Sequence, residues 1–167
     1  MNDELIPAWI KNIKNTDNAA KEKAEAARVR DLADKAAIQK GAPKFWTQLA
    51  KDLEIAANAL SNIEITATCS SLADQQARVP DSRRAPEHGI RIDMRAGFPR
   101  VRIGYVNVWY TEGTYHLRVY LLEEEEQRIS LSLNREGEVC AVTGNAILDP
   151  EQTAEEILRP LVNYIRS

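Results

Sequence analysis

The stretch Arg100 to Val142, RVRIGYVNVWYTEGTYHLRVYLLEEEEQRISLSLNREGEVCAV, decides the fold, because apolar and polar residues alternate along it between short turns. Successive strand side chains point to opposite sides of a sheet. Val101, Ile103, Tyr105, Asn107 and Trp109 therefore share one face, and Arg102, Gly104, Val106, Val108 and Tyr110 the other. Both faces carry apolar bulk in the second half, which marks a central strand. Thr111-Glu112-Gly113 is a turn whose glycine can take positive φ, and Thr114 to Leu122 resumes the alternation with Tyr115, Leu117, Val119 and Leu121 on one side. Glu123 to Glu126 repel one another and read as a solvated turn, since consecutive strand positions diverge too much to gather around a cation. Gln127 to Asn134 turns Ile129, Leu131 and Leu133 inward, Arg135-Glu136-Gly137 reverses the chain, and Val139 to Thr143 closes a four-stranded meander.

Two further strands precede the meander. Ile63, Ile65, Ala67 and Cys69 alternate with Glu64, Thr66 and Thr68, and His88 to Arg95 places Ile90, Ile92 and Met94 in, with Arg91, Asp93 and Arg95 out. Between them Ser70 to Glu87, with Pro80 and Pro86, breaks every period and reads as a long loop, a kind that is often functional. The helix that should cover the sheet opens at Pro43, and Trp46, Leu49, Leu53, Ala56, Ala57, Leu60 and Ile63 mark its buried face. Downstream, Asp149-Pro150-Glu151 and Thr153-Ala154-Glu155-Glu156 are both helix starts, the second as a capping box. Ile157, Leu158, Leu161, Val162 and Ile165 form an apolar face, and Pro160 should kink or restart that helix. The sum is an α+β fold, an antiparallel sheet of about six strands with helices packed on one face, in the order helices, strands, helix.

The N-terminal residues 1–40 read as a helical extension of an α+β domain at 41–167. Leu5, Ile6, Trp9, Ile10 and Ile13 make a short apolar stripe that suits another chain as well as its own core. Thr16-Asp17-Asn18 offers a cap for a second, highly charged helix from Ala19 to Lys40, which Gly41 should stop. Its apolar face, Ala26, Val29, Leu32, Ala33, Ala36 and Ala37, is thin, so it packs loosely, pairs with a copy of itself, or serves as an arm for a protein partner.

With 167 residues and 44% hydrophobic side chains, the chain has the composition of one soluble globular core. No apolar run approaches the roughly 18 to 20 residues that span a bilayer, and the first residues lack the basic-then-apolar order of a secretory signal. The expectation is a cytoplasmic protein with no membrane partner. Cys69 and Cys140, without metal-ligand spacing, fit two buried thiols in a reducing compartment. The net charge is −3, distributed unevenly: residues 1–111 hold 17 Lys and Arg against 14 Asp and Glu, and residues 112–167 hold 5 against 11.

No phosphate-loop, dinucleotide-binding, nucleophile-elbow or zinc-protease motif is present. His88 and His116 are the only histidines, and His116 alternates with Arg118 and Tyr120 as a surface residue would. The chain therefore reads as a non-enzymatic binding or interaction domain that needs no cofactor and contacts a macromolecule or its own copy. The constellation above background is arginine: Arg78, Arg83, Arg84, Arg91, Arg95, Arg100 and Arg102 lie close together in sequence. Arg83, Arg84, Arg91, Arg95 and Arg102 are the candidate anion contacts, because the guanidinium fork matches phosphate and carboxylate. Alternation allows Arg91, Arg95 and Arg102 to share a sheet face with Tyr110, His116, Arg118 and Tyr120, where aromatics would stack bases. Asp81, Glu87, Asp93 and the acidic overall balance oppose that reading, so nucleic acid is the less favoured partner. A third reading is a small-ligand pocket between sheet and helices, lined by Trp46, Trp109 and Tyr115.

Ala42-Pro43-Lys44-Phe45-Trp46-Thr47-Gln48-Leu49 after a charged helix, followed by a sheet and the closing Ile157-Leu158-Arg159-Pro160-Leu161, resembles a type of uncharacterised bacterial protein with the same element order. The resemblance implies a bacterial cytoplasmic origin and no particular activity. The helix, sheet, helix order is also similar to the frataxin arrangement. The acidic first helix with which that family handles iron has no counterpart, so no iron site is expected.

Overall fold

The computed structural model describes residues 8–72, 85–97, 101–122 and 124–167, with the side chains of all of these except 8–11 and 14. The chain divides into two compact units, Met1–Ala36 and Ala37–Ser167. Of the predicted stripe, Leu5, Ile6 and the side chains of Trp9 and Ile10 lie outside the described residues, and Ile13 is exposed.

Helix α1 runs from Ala8 to Ala59 as one element. In the first unit every described side chain from Asn12 to Ala36 is exposed. The helix holds there through the propensity of its Ala, Lys, Glu and Arg content, with Lys35 and Asp31 paired at 2.7 Å one turn apart. The predicted break at Thr16-Asp17-Asn18 does not occur. Instead of capping, the Thr16 hydroxyl donates back to the Asn12 carbonyl at 2.9 Å, as it does inside a continuous helix.

The predicted stop at Gly41 does not occur either, and the reason lies in packing. A Cβ at Gly41 would stand 2.5 Å from Val139 Cγ2, so this glycine permits a close helix-to-strand approach. Pro43 removes the amide that would bond the Gln39 carbonyl. Gln39 is exposed, so solvent can replace that amide. From this point the helix turns Ile38, Ala42, Phe45, Trp46, Leu49, Leu53 and Ala57 into the core. A 3-10 turn at Leu60–Ile63 ends it, with Glu64 left-handed at φ 63°. Ile63, placed by the sequence on the buried face, is exposed.

Among the described residues the sheet has seven strands in sequence order, each antiparallel to the next. They are β1 Ile65–Leu72, β2 Glu87–Ala96, β3 Arg102–Thr111, β4 His116–Leu121, β5 Gln127–Leu133, β6 Val139–Thr143 and β7 Ala146–Leu148. β7 is the strand the sequence reading lacked: three residues are too few to show a period. Gly113, Gly137 and Gly144 supply the positive φ in the turns β3–β4, β5–β6 and β6–β7.

One face of this sheet is the core. Ile90, Ile92 and Met94 of β2, Val106, Val108 and Tyr110 of β3, Leu117 and Val119 of β4, and Ile129 and Leu131 of β5 form a single cluster with the helices. Helix α2, Pro150–Arg166, adds Ala154, Ile157, Leu158, Leu161 and Ile165. Burying each of the larger aliphatic side chains favours folding by about 1.5–3 kcal/mol. Gly104 lets α2 approach, since a Cβ there would meet Leu161 Cδ1 at 2.6 Å. The fold is thus α+β with both helices on one face, as alternation and helical period predict.

Helix α2 starts earlier than the predicted box at Thr153. Asp149 accepts the Gln152 amide at 2.8 Å, and Gln152 accepts the Asp149 amide at 3.2 Å. Pro150, with its φ already helical, favours this start. The helix continues through Pro160 without a restart; Pro160 sits on the exposed side, where the freed Glu156 carbonyl can face water. No described helix is long and apolar enough to cross a membrane.

Candidate functional site

The second face of the sheet is covered by neither helix of the second unit, because their buried side chains all join the inner cluster. On β2 and β3 the outer residues are odd-numbered, and on β4 even-numbered, as the registers require. Arg91 stands opposite Asn107, which stands opposite Tyr120; Gly89 stands opposite Trp109, which stands opposite Arg118; Asp93 stands opposite Tyr105. Three aromatics and two arginines thus occupy neighbouring places on three central strands, and all five are half-buried.

The charges of this strip are satisfied internally. Arg91 grips Asp93 through Nε, at 3.0 and 2.9 Å to its two oxygens, and through Nη2 at 2.9 Å. Its guanidinium lies over the Tyr105 ring, 4.0 Å from its centre, a cation–π arrangement. Arg118 donates to Glu87 at 2.7 Å, and the same oxygen accepts the Thr111 hydroxyl at 3.1 Å. Arg118 stands directly opposite Arg128, a repulsive placement relieved by Glu87 on one side and Glu126 on the other. Glu126 accepts from Arg128 at 2.6 Å and from the Tyr120 hydroxyl. These two donors hold its carboxyl below the usual range, the tyrosine contributing most. Glu126 is therefore tied down rather than part of a freely solvated turn.

One polar atom in the strip has no partner. The side-chain oxygen of Asn107 is buried without a hydrogen bond, an arrangement that costs free energy.

The five candidate anion contacts separate. Arg83 and Arg84 lie outside the described residues. Arg91 is on the outer face, bound to Asp93, and Arg95 is on the same face, exposed, opposite Thr66 and Ile103. Arg102 does not share that face. It follows the phase of Gly104 and Val106 to the helix side, where Nη1 donates to the Tyr164 carbonyl at 2.9 Å and to the Ser167 hydroxyl at 2.6 Å, capping the end of α2. Tyr110 is likewise inward, stacked between Trp46 and His88 at ring-centre distances of 6.0 and 6.1 Å. Burial raises its hydroxyl pKa, with Glu112 adding to the effect.

The expected pocket of Trp46, Trp109 and Tyr115 does not form, because Trp109 points outward. An open groove of about 600 Å³ lies instead between α1 and the first two strands, lined by Trp46, Ala50, Glu54, Cys69, Ser71 and His88 among others. Its space comes from small residues: Ala50, Cys69 and Ser71 leave helix and strand unfilled between them. His88 binds Glu112 at 3.0 Å. Burial, then the nearby Glu54 carboxylate, pushes the Cys69 thiol pKa up, which keeps it a poor nucleophile. Cys140 is also free, and its thiol pKa is raised by burial. Among the described residues no group of three His, Cys, Asp or Glu side chains could hold a metal ion.

The role of Asn107 was not visible as a site in the sequence, since an isolated asparagine in a strand has no signature. Its place between Arg91 and Tyr120 follows only from the registers. No family model matches the chain, and no similar protein was found among curated proteins or among solved structures.

Proposed function

We propose that this chain is a non-enzymatic binding domain that takes a protein partner on the outer face of its sheet, over Tyr105, Asn107, Trp109 and Tyr120. The observation that supports this reading is an aromatic and arginine strip on the open face whose charges are already neutralised by Asp93, Glu87 and Glu126. Tyr, Trp and Arg are the residues enriched where proteins meet, and charge is depleted at the centre of such contacts. Phosphate binding instead needs unneutralised cations.

The test is affinity capture from cell extract treated with nuclease, comparing the wild-type chain with Tyr105→Ala/Trp109→Ala. A protein retained by the first and lost with the second supports the reading. Retention of nucleic acid alone, or of the same proteins by both, contradicts it.

A second reading rests on the first unit, where Val29 and Leu32 are each 57% exposed on one helical face. That pair favours self-association of the N-terminal helix. Light scattering tests it, with Val29→Glu/Leu32→Glu expected to convert a dimer into a monomer; a wild-type monomer would refute it.

A further inference from the structure

Strand β1 is an edge of the sheet: its eight residues Ile65–Leu72 pair along their whole length with β2, and no other described strand pairs with it. Alternate residues of such an edge point their backbone amides and carbonyls away from the sheet. Soluble proteins usually protect a long edge with lysine, proline or a bulge. β1 has none of these. Its sequence, ITATCSSL, carries no charge and no proline, and its register with β2 is unbroken over all eight pairs. By contrast the opposite edge, β7, is three residues long.

The groove described above runs beside this edge, on the helix side. Cys69 and Ser71 of β1 form part of its floor, and Trp46, Ala50 and Glu54, at successive turns of α1, form its wall. Edge and groove together have a specific complement. An extended backbone matches the two-residue repeat of donors and acceptors along β1, and every second side chain of that backbone would enter the space between β1 and α1.

We infer that β1 and the adjoining groove form a binding site for an extended peptide segment of another protein, added antiparallel or parallel as an eighth strand. The segment is uncharged where it pairs, because β1 offers no charge to oppose. It places an apolar side chain against Trp46 and Ile90. Lys51 and Glu54 at the rim present both signs and so select against a strongly acidic or basic ligand. This site is distinct from the outer face and stands or falls separately from it.

The experiment uses the full chain and a phage-displayed library of random dodecamer peptides. Peptides enriched over a control are synthesised, and their affinity is measured by fluorescence polarisation. Binding is then mapped by amide hydrogen exchange. The expected result is an enriched set of uncharged sequences with an apolar anchor, slowed exchange at β1, and unchanged exchange over the outer strip at β3 and β4. Ala50→Leu, which fills the groove from an already helical position, should weaken binding roughly tenfold or more. Ser71→Lys, which puts a charge at the edge, should weaken it as well while leaving the thermal unfolding midpoint close to wild type. Failure to enrich any peptide, protection confined to β3 and β4, or affinity indifferent to both substitutions would overturn the inference. So would slowed exchange at β1 that appears with protein concentration and without peptide, which would make a second copy the occupant.

Discussion

The ring of Trp109 lies over its cross-strand partner Gly89 so closely that a Cβ on the glycine would stand 2.6 Å from Cε3 and Cζ3 and 3.0 Å from Leu72 Cβ. A rigid indole cannot yield as an aliphatic chain end can. Gly89→Ala should therefore destabilise the protein by about 1–3 kcal/mol, the range for overpacking, and alter Trp109 fluorescence. Gly97→Ala, where a Cβ meets nothing within 4 Å, is the control. Urea unfolding of both variants checks the difference, and equal midpoints would contradict the stacking.

The two faces should also respond differently to truncation. Leu53 is fully buried on the inner side, and Leu53→Ala should cost about 2–5 kcal/mol, the range for a core cavity. Tyr105→Ala removes a half-buried ring from the open face and should cost less, its lost cation–π contact with Arg91 being worth about 0.5–2 kcal/mol. Chemical denaturation of the two variants decides it. An equal loss would mean that the outer face is part of a second core.

Glu126 links the outer face to pH. Its folded pKa lies below its ordinary value of 4.5, first through the Tyr120 hydroxyl and then through Arg128. Its contribution to stability is thus complete above that ordinary value and disappears as pH falls through the lower, folded one. A carbon-detected NMR titration of the carboxyl should find a midpoint below 4.5, moving upward in Tyr120→Phe. No movement would show that the tyrosine does not hold the carboxylate.

The cap of α2 gives a separate prediction. Asp149→Ala removes the acceptor of the Gln152 amide and should cost about 0.5–2 kcal/mol. Thermal unfolding measures this, and an unchanged midpoint would place the start of the helix elsewhere.

Much of this architecture was legible in the sequence because alternation and helical period are properties of local residues. Ile90, Ile92, Ile129 and Leu131 could be assigned to the core before any register was known, whereas the two apolar faces of β3 could not be told apart. The helix breaks were misplaced for a non-local reason. Gly41 has the local signature of a stop, but its contact with Val139 is almost a hundred positions distant in sequence. The same limit governed the site. Alternation places Arg102 and Tyr110 on one face of β3, but only the register of β2 with β3 shows that this face is opposite to that of Arg91 and Arg95. Which residues oppose one another, as Arg91, Asn107 and Tyr120 do, depends on strand registers that no single strand encodes. The groove beside β1 arises from Ala50, Cys69 and Ser71, whose small size has meaning only once helix and strand face each other.

The most direct measurement for the outer face as a protein-binding surface is photo-crosslinking in cells, with benzoyl-phenylalanine in place of Tyr105 on the open face or in place of Tyr164 on α2. The proposed function predicts a discrete, nuclease-resistant crosslinked species from position 105 that is absent from position 164 and disappears when Trp109→Ala is added. No crosslink at 105, or the same species from both positions, would contradict it.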